Sequence, residues 1–243
     1  MKKILPLCLV PLLLFAACGK TEDEEPFSAA FTIRPPESLT EVYYEIPMPS
    51  EQASSTTLPD ADHTLRLEDL RALLVQSVFG GKPDAFVCLW KEQVRYVLDG
   101  SFTEDDRSAL SDMAADLTQI APFPGMRETN AENANVIVHF ADVPTAQFTF
   151  TKDAGGAITA GQITIPSSLP SRQRNALLQE KMFRLFGFFY DAQTPLDSVL
   201  APEPADALTE PDLILLETMY GQLSAGMTKA QAEQAFTNAF LLF

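Results

Sequence analysis

The chain has 243 residues and a formal net charge of −16, from 17 basic and 33 acidic side chains. That length suits one domain, or one domain with a tail, and 46% apolar residues is the content of a globular rather than a disordered chain. The acidic balance excludes nucleic acid as a partner and electrostatic docking on anionic lipid, because both need basic surfaces. With only His63 and His139, three imidazoles cannot meet at a zinc ion within one chain.

The N-terminus reads as a targeting segment. Lys2 and Lys3 precede an apolar run from Ile4 to Phe15, shorter than the ~20 residues a membrane-spanning helix needs. Ala16-Ala17-Cys18-Gly19 follows, with two small residues before a cysteine. This arrangement resembles the lipobox of bacterial lipoproteins, with Phe15 where leucine is usual. The resemblance implies a signal peptide over 1–17, acylation of Cys18 and anchoring on the extracytoplasmic face of a membrane. Residues 18–62 then form a lipidated N-terminus and flexible linker, marked by the acidic run Thr21–Glu25 and by Pro35-Pro36, Pro47 and Pro49. Within it, Phe31-Thr32-Ile33 and Val42–Ile46 offer strands that could dock on the domain. Once Cys8 leaves with the signal and Cys18 is acylated, Cys88 is the one thiol left, so no intrachain disulfide forms. Its apolar surroundings mark a buried, inert cysteine.

The folded domain spans 63–243, and its elements follow in order. Leu67, Leu70, Leu74 and Val78 recur at helical spacing up to Gly80-Gly81. Val94–Leu98 alternates as a strand. Thr103, with Asp106 three residues on, caps a helix whose stripe is Leu110, Met113, Leu117 and Ile120. Asn135–Phe140, Gln147–Thr151 and Gln162–Pro166 are further strands, the last expected near a sheet edge because it ends in proline. Ser171 opens a central helix to about Phe186, apolar on more than one face. Thr209-Glu210-Pro211-Asp212 is a second capping box and starts another helix. Gly226-Met227-Thr228 leads to a last helix ending in Ala239–Phe243. The fold class is α+β: a mixed sheet of about four to five strands packed on helices, with further helices at the C-terminus.

Glu180-Lys181-Met182-Phe183-Arg184-Leu185-Phe186-Gly187-Phe188-Phe189-Tyr190-Asp191 resembles the active helix and turn of matrixins, within the metzincin class of zincins. Asp197–Pro202 is similar to their methionine turn, and Leu208–Gly221 to their closing helix. The resemblance implies a zincin-like scaffold. Aligned on Gly187, the first histidine position holds Glu180, the glutamate position Lys181, the second histidine position Arg184, the third ligand position Tyr190 and the methionine position Leu200. Charged lysine and arginine cannot bind zinc, so the same resemblance implies that the metal and its chemistry are absent.

A second resemblance is closer. The chain is similar to an uncharacterised family of secreted bacterial domains, domain of unknown function 2927, through Glu180, Phe186-Gly187-Phe188 and Asp191. Trp90, the Val94–Leu98 strand, Ala134-Asn135-Val136 and Gly226-Met227-Thr228 extend that likeness over Leu67 to Phe236, while Lys181 and Arg184 depart from the family pattern.

Three uses of the site stay open. Glu180 and Arg184, four apart with the acid first, suit a salt bridge that fills the vacated metal site, with the Tyr190 hydroxyl completing it. A polar groove in which Arg184 grips a carboxylate would bind a peptide or glycan. Lys181 as a nucleophile would need desolvation. The chain is expected to carry no catalytic residues, no metal and no cofactor. It is expected to meet the membrane through its lipid, and to serve as a non-catalytic binding or envelope structural domain with a peptide, glycan or envelope protein as partner. The alternative is a hydrolase with a non-zinc constellation in the same cleft. His139 alternates on a strand with Val136 and Val138 and reads as a satisfied sheet residue rather than a ligand.

Overall fold

The computed structural model describes residues 42–45 and 66–241. The signal segment, Cys18, His63 and most of the linker lie outside the described residues, as do Leu242 and Phe243. Of the two strand options within the linker, Val42–Glu45 forms β1, and Phe31-Thr32-Ile33 lies outside the described residues. The elements that follow are α1 (Leu67–Phe79), β2 (Leu89–Trp90), β3 (Val94–Gly100), α2 (Glu104–Leu117), β4 (Met126–Glu128), β5 (Val136–Ala141), β6 (Gln147–Lys152), β7 (Ala157–Pro166), α3 (Ser171–Arg184), α4 (Glu210–Gln222) and α5 (Lys229–Leu241). None of the described helices is long and apolar enough to cross a membrane.

The strands form one sheet in the order β1-β6-β7-β5-β3-β4, with β2 beside the first residues of β7. Strands β4, β3, β5 and β7 run parallel, as does β2 with β7, while β6 is antiparallel to β7 and β1 to β6. The α+β class holds, with more strands than expected. β2 and β4 have two and three residues, too few to show an alternation.

The placement of β7 corrects the expected edge strand. It lies between β6 and β5, and Pro166 is its last residue. Pro166 pairs with Ala141 on β5, where the next residue makes good the missing donor: Ser167 N–H donates to the Ala141 carbonyl over 2.8 Å. β7 also begins five residues earlier than expected, at Ala157.

Alternation fixes which face is buried. Val94, Tyr96 and Leu98 on β3, Val136, Val138 and Phe140 on β5, Phe148 and Phe150 on β6, and Ile163 and Ile165 on β7 enter one core. Leu178, Met182, Leu185, Leu110, Met113 and Leu117 of the helical layer fill the same core. Both capping boxes form as their spacing predicts, Thr103 with Asp106 and Thr209 with Asp212. The central helix ends at Arg184, two residues sooner than expected. Gly187 and Phe188 N–H both donate to the Arg184 carbonyl, closing the last turn.

Candidate functional site

The last turn of α3 carries a charged cluster inside the protein. Glu180, Lys181 and Arg184 are each under 5% exposed. Lys181 Nζ lies 3.0 Å from both carboxylate oxygens of Glu180, and Arg184 Nε donates to Glu180 Oε1 over 2.7 Å. Arg184 Nη2 donates to Asp191 Oδ1, also over 2.7 Å. The Glu180–Arg184 contact is the i, i+4 pair the spacing predicts. The Glu180–Lys181 contact is not, since adjacent residues diverge on a helix; the long lysine stem folds back to reach its neighbour. Two cations and two carboxylates make the cluster formally neutral. Arg184 Nη1 is buried with no hydrogen-bond partner. Burial holds the Lys181 ammonium below the ordinary lysine range, against the attraction of Glu180, and Arg184 pushes the same way as burial.

The turn after α3 brings Asp191 back to Arg184. Gly187 has φ +118°, a conformation that side chains resist. A Cβ there would collide with Met219 Cε and lie 2.5 Å from the Cys88 carbonyl oxygen. Phe188 and Phe189 then enter the core, Phe188 stacked on Phe183 and Phe189 on Phe150. Tyr190 goes to the C-terminal end of α1. Its N–H donates to the Ser77 carbonyl, its ring lies against Gly80, and Lys82 Nζ sits 4.8 Å from the ring centroid. In the place expected for the Tyr190 hydroxyl, the group on Arg184 Nη2 is the Asp191 carboxylate.

The neighbouring turn holds Leu200, buried, at the position aligned with the methionine. Asp212 fastens it. Besides capping α4 through Thr209, its carboxylate accepts from Ser198 Oγ at 2.5 Å and from Val199 N–H at 3.2 Å. Burial pushes the Asp212 carboxyl up, against these hydrogen bonds. The capping role was legible at i, i+3; the link across to Ser198 was not. Trp90 Nε1 donates to the Leu185 carbonyl, and Tyr220 Oη accepts from Trp90 N–H and donates to the Phe186 carbonyl. Both aromatic residues pin the end of α3. Cys88 is 3% exposed, and burial raises its thiol to about 11. His139 Nδ1 lies 2.8 Å from Asp99 on the neighbouring strand, so the sheet supplies the partner of this histidine.

Among the described residues, no three His, Cys, Asp or Glu side chains gather in a way that could hold a metal. The cluster, the turn and the closing helix all fall in one matched interval. Residues 144–238 match the family described as Protein of unknown function (DUF2927). The matched interval starts at the approach to β6 and ends within α5, so it covers the second part of the likeness expected from Leu67 onward. No curated protein matches the chain.

Proposed function

We propose that this protein is a lipid-anchored, extracytoplasmic domain on a zincin-like scaffold, serving as a non-catalytic binding or structural module of the cell envelope. One observation carries the reading. At the end of α3, where a zincin would present its ligands, Glu180 is buried between Lys181 and Arg184 and is bonded to both. Three of the carboxylate's four lone-pair sites are taken by its own neighbours, and each cation is held by an acid.

The scaffold reading is supported by the order of the parallel strands β4-β3-β5-β7, the antiparallel β6 beyond them, and α3 following β7 directly. It is supported further by the Gly187 turn and the closing helix α4. The anchor rests on the Lys2–Cys18 sequence. The hydrolase alternative is disfavoured, because Lys181 is 1% exposed and both Glu180 oxygens hold its ammonium.

Three measurements test the reading. Purified full-length protein should contain no stoichiometric zinc and should not hydrolyse unstructured protein substrates. One tightly held zinc per chain lost in Glu180→Ala, or hydrolysis abolished by Lys181→Gln, overturns the non-catalytic reading. Cys18→Ser should leave the membrane fraction or accumulate as unprocessed precursor. Normal processing and unchanged fractionation of that variant overturn the lipid anchor.

A further inference from the structure

A second polar site lies at the other edge of the sheet and owes nothing to the reading of α3. Strand register sets Arg95 of β3 directly beside Arg127 of β4. Val94 and Met126, one position earlier, are buried, so alternation turns both arginines to the opposite face. Neighbouring strands lie ~4.8 Å apart, so two like charges share one short span of sheet. Both line a cleft of about 540 Å³ together with Thr129, Glu132, Asn133 and Ala134.

The two guanidiniums are placed differently. Arg95 is held by its Nε, which donates to the Asn133 carbonyl over 2.7 Å, while its Nη1 is 3.9 Å from Glu92. The Arg127 guanidinium makes no hydrogen bond or ion pair among the described residues. Arg66, at the start of α1, is the other arginine whose side chain has no such partner among the described residues. Arg71, Arg107, Arg172, Arg174 and Arg184 each reach a carboxylate within 4 Å. Glu132 lines the same cleft yet pairs with neither arginine within that distance. The cleft therefore holds two neighbouring cations, of which Arg95 has Glu92 at the limit of ion pairing and Arg127 has no acid within 4 Å among the described residues.

We infer that the Arg95–Arg127 cleft binds an oxyanion of the phosphate class, as the free ion or as a small phosphomonoester. Two planar guanidinium forks suit the several oxygens of a phosphate, which offers them more acceptors than a carboxylate does. The Thr129 hydroxyl lining the cleft adds a neutral donor. Glu132 opposes the anion and limits its affinity.

The test is calorimetric titration of the full-length chain in detergent with inorganic phosphate, at constant ionic strength set with sodium chloride. One saturable site per chain is expected. Arg127→Gln should weaken it about tenfold, the loss of one charged hydrogen-bonding group. Glu132→Gln should tighten it severalfold, and acetate should bind more weakly than phosphate. A parallel titration with glycerol 3-phosphate separates the sources: tighter binding than phosphate points to an ester, equal binding to the free ion. No saturable heat, acetate binding as well as phosphate, or Arg127→Gln within twofold of wild type overturns the site. Arg127 is exposed, so its variant should fold; if it does not, unchanged phosphate affinity in Glu132→Gln overturns the site alone.

Discussion

Both ends of α3 bury an arginine against a carboxylate, and they do so differently. At the N-terminal end Arg174 Nε donates to Asp106 over 2.6 Å, Nη1 reaches the Ser167 and Leu169 carbonyls, and Nη2 reaches Thr103 Oγ1. Each nitrogen that can donate has an acceptor, and the same Asp106 closes the α2 capping box. This end is a finished joint between two helices. At the C-terminal end Glu180 is shared by two cations, Asp191 arrives only through the Gly187 turn, and Arg184 Nη1 is left without a partner. An unmet buried donor costs ~1–3 kcal/mol, and a buried pair seldom outperforms apolar residues of the same size. Burial of charge alone does not mark a site. What separates the two ends is an unsatisfied group, a lysine whose charged form is disfavoured by burial and a turn that only glycine takes without strain.

The largest expected effect comes from the turn that one end has and the other lacks. Gly187→Val places a β-branched side chain at positive φ against Met219 and the Cys88 carbonyl. It should cost more than ~4 kcal/mol, the exceptional range for point changes. A thermal melt near wild type would show that the turn does not hold the C-terminal end together. Glu180→Ala follows, because it strands two cations in the interior, and breaking a buried pair costs ~3–5 kcal/mol. Chemical denaturation should show that loss, and replacing Glu180, Lys181 and Arg184 together by methionine should recover most of it. If the triple variant is no more stable than Glu180→Ala, the cluster contributes more than charge balance.

A smaller effect sharpens the contrast between the arginines. Arg174→Gln leaves Asp106 buried without its cation, whereas Arg184→Gln leaves Glu180 with Lys181. Arg174→Gln should therefore be the more damaging by ~1–2 kcal/mol in paired melts, and equal losses would dissolve the distinction between the ends. The mildest test is titration. Lys181 has a lowered folded-state pKa, so in the window below the ordinary lysine value the folded chain holds fewer protons than the unfolded chain. Stability contributed by this group should rise with pH through that window, and Lys181→Met should flatten the rise. Cys88 acts oppositely. Its thiol, raised from 9.0 to about 11, keeps its proton in the fold while the unfolded chain loses it, so stability should fall across that interval, and less so in Cys88→Ala. An unchanged alkaline profile in both variants would refute these assignments.

Several features were readable along the chain because they are local. The capping boxes at Thr103 and Thr209 need only a residue three positions on, and the Glu180–Arg184 pair only one helical turn. The Gly187 turn was legible because a glycine follows a helix that has to end. The identity of the group meeting Arg184 was not. Tyr190 and Asp191 are adjacent in sequence, and which one faces the cluster depends on the path after Gly187 and on the room that Gly80 leaves for the tyrosine ring. Nor was the burial of Lys181 legible, since a lysine beside a glutamate reads as solvated surface until the elements around it are in place.

The order of the helices and of strands β3, β5, β6 and β7, the two caps and the cluster's residue types were determined by the sequence alone, because backbone propensity and i, i+3 or i, i+4 geometry act over one turn. The tertiary structure decided that β7 is central, that β2 and β4 exist, that Arg95 stands beside Arg127, and that Asp191 closes the cluster. Those facts depend on pairing between segments tens of residues apart, where register is chosen by the burial of whole faces and leaves no mark in any short stretch of chain.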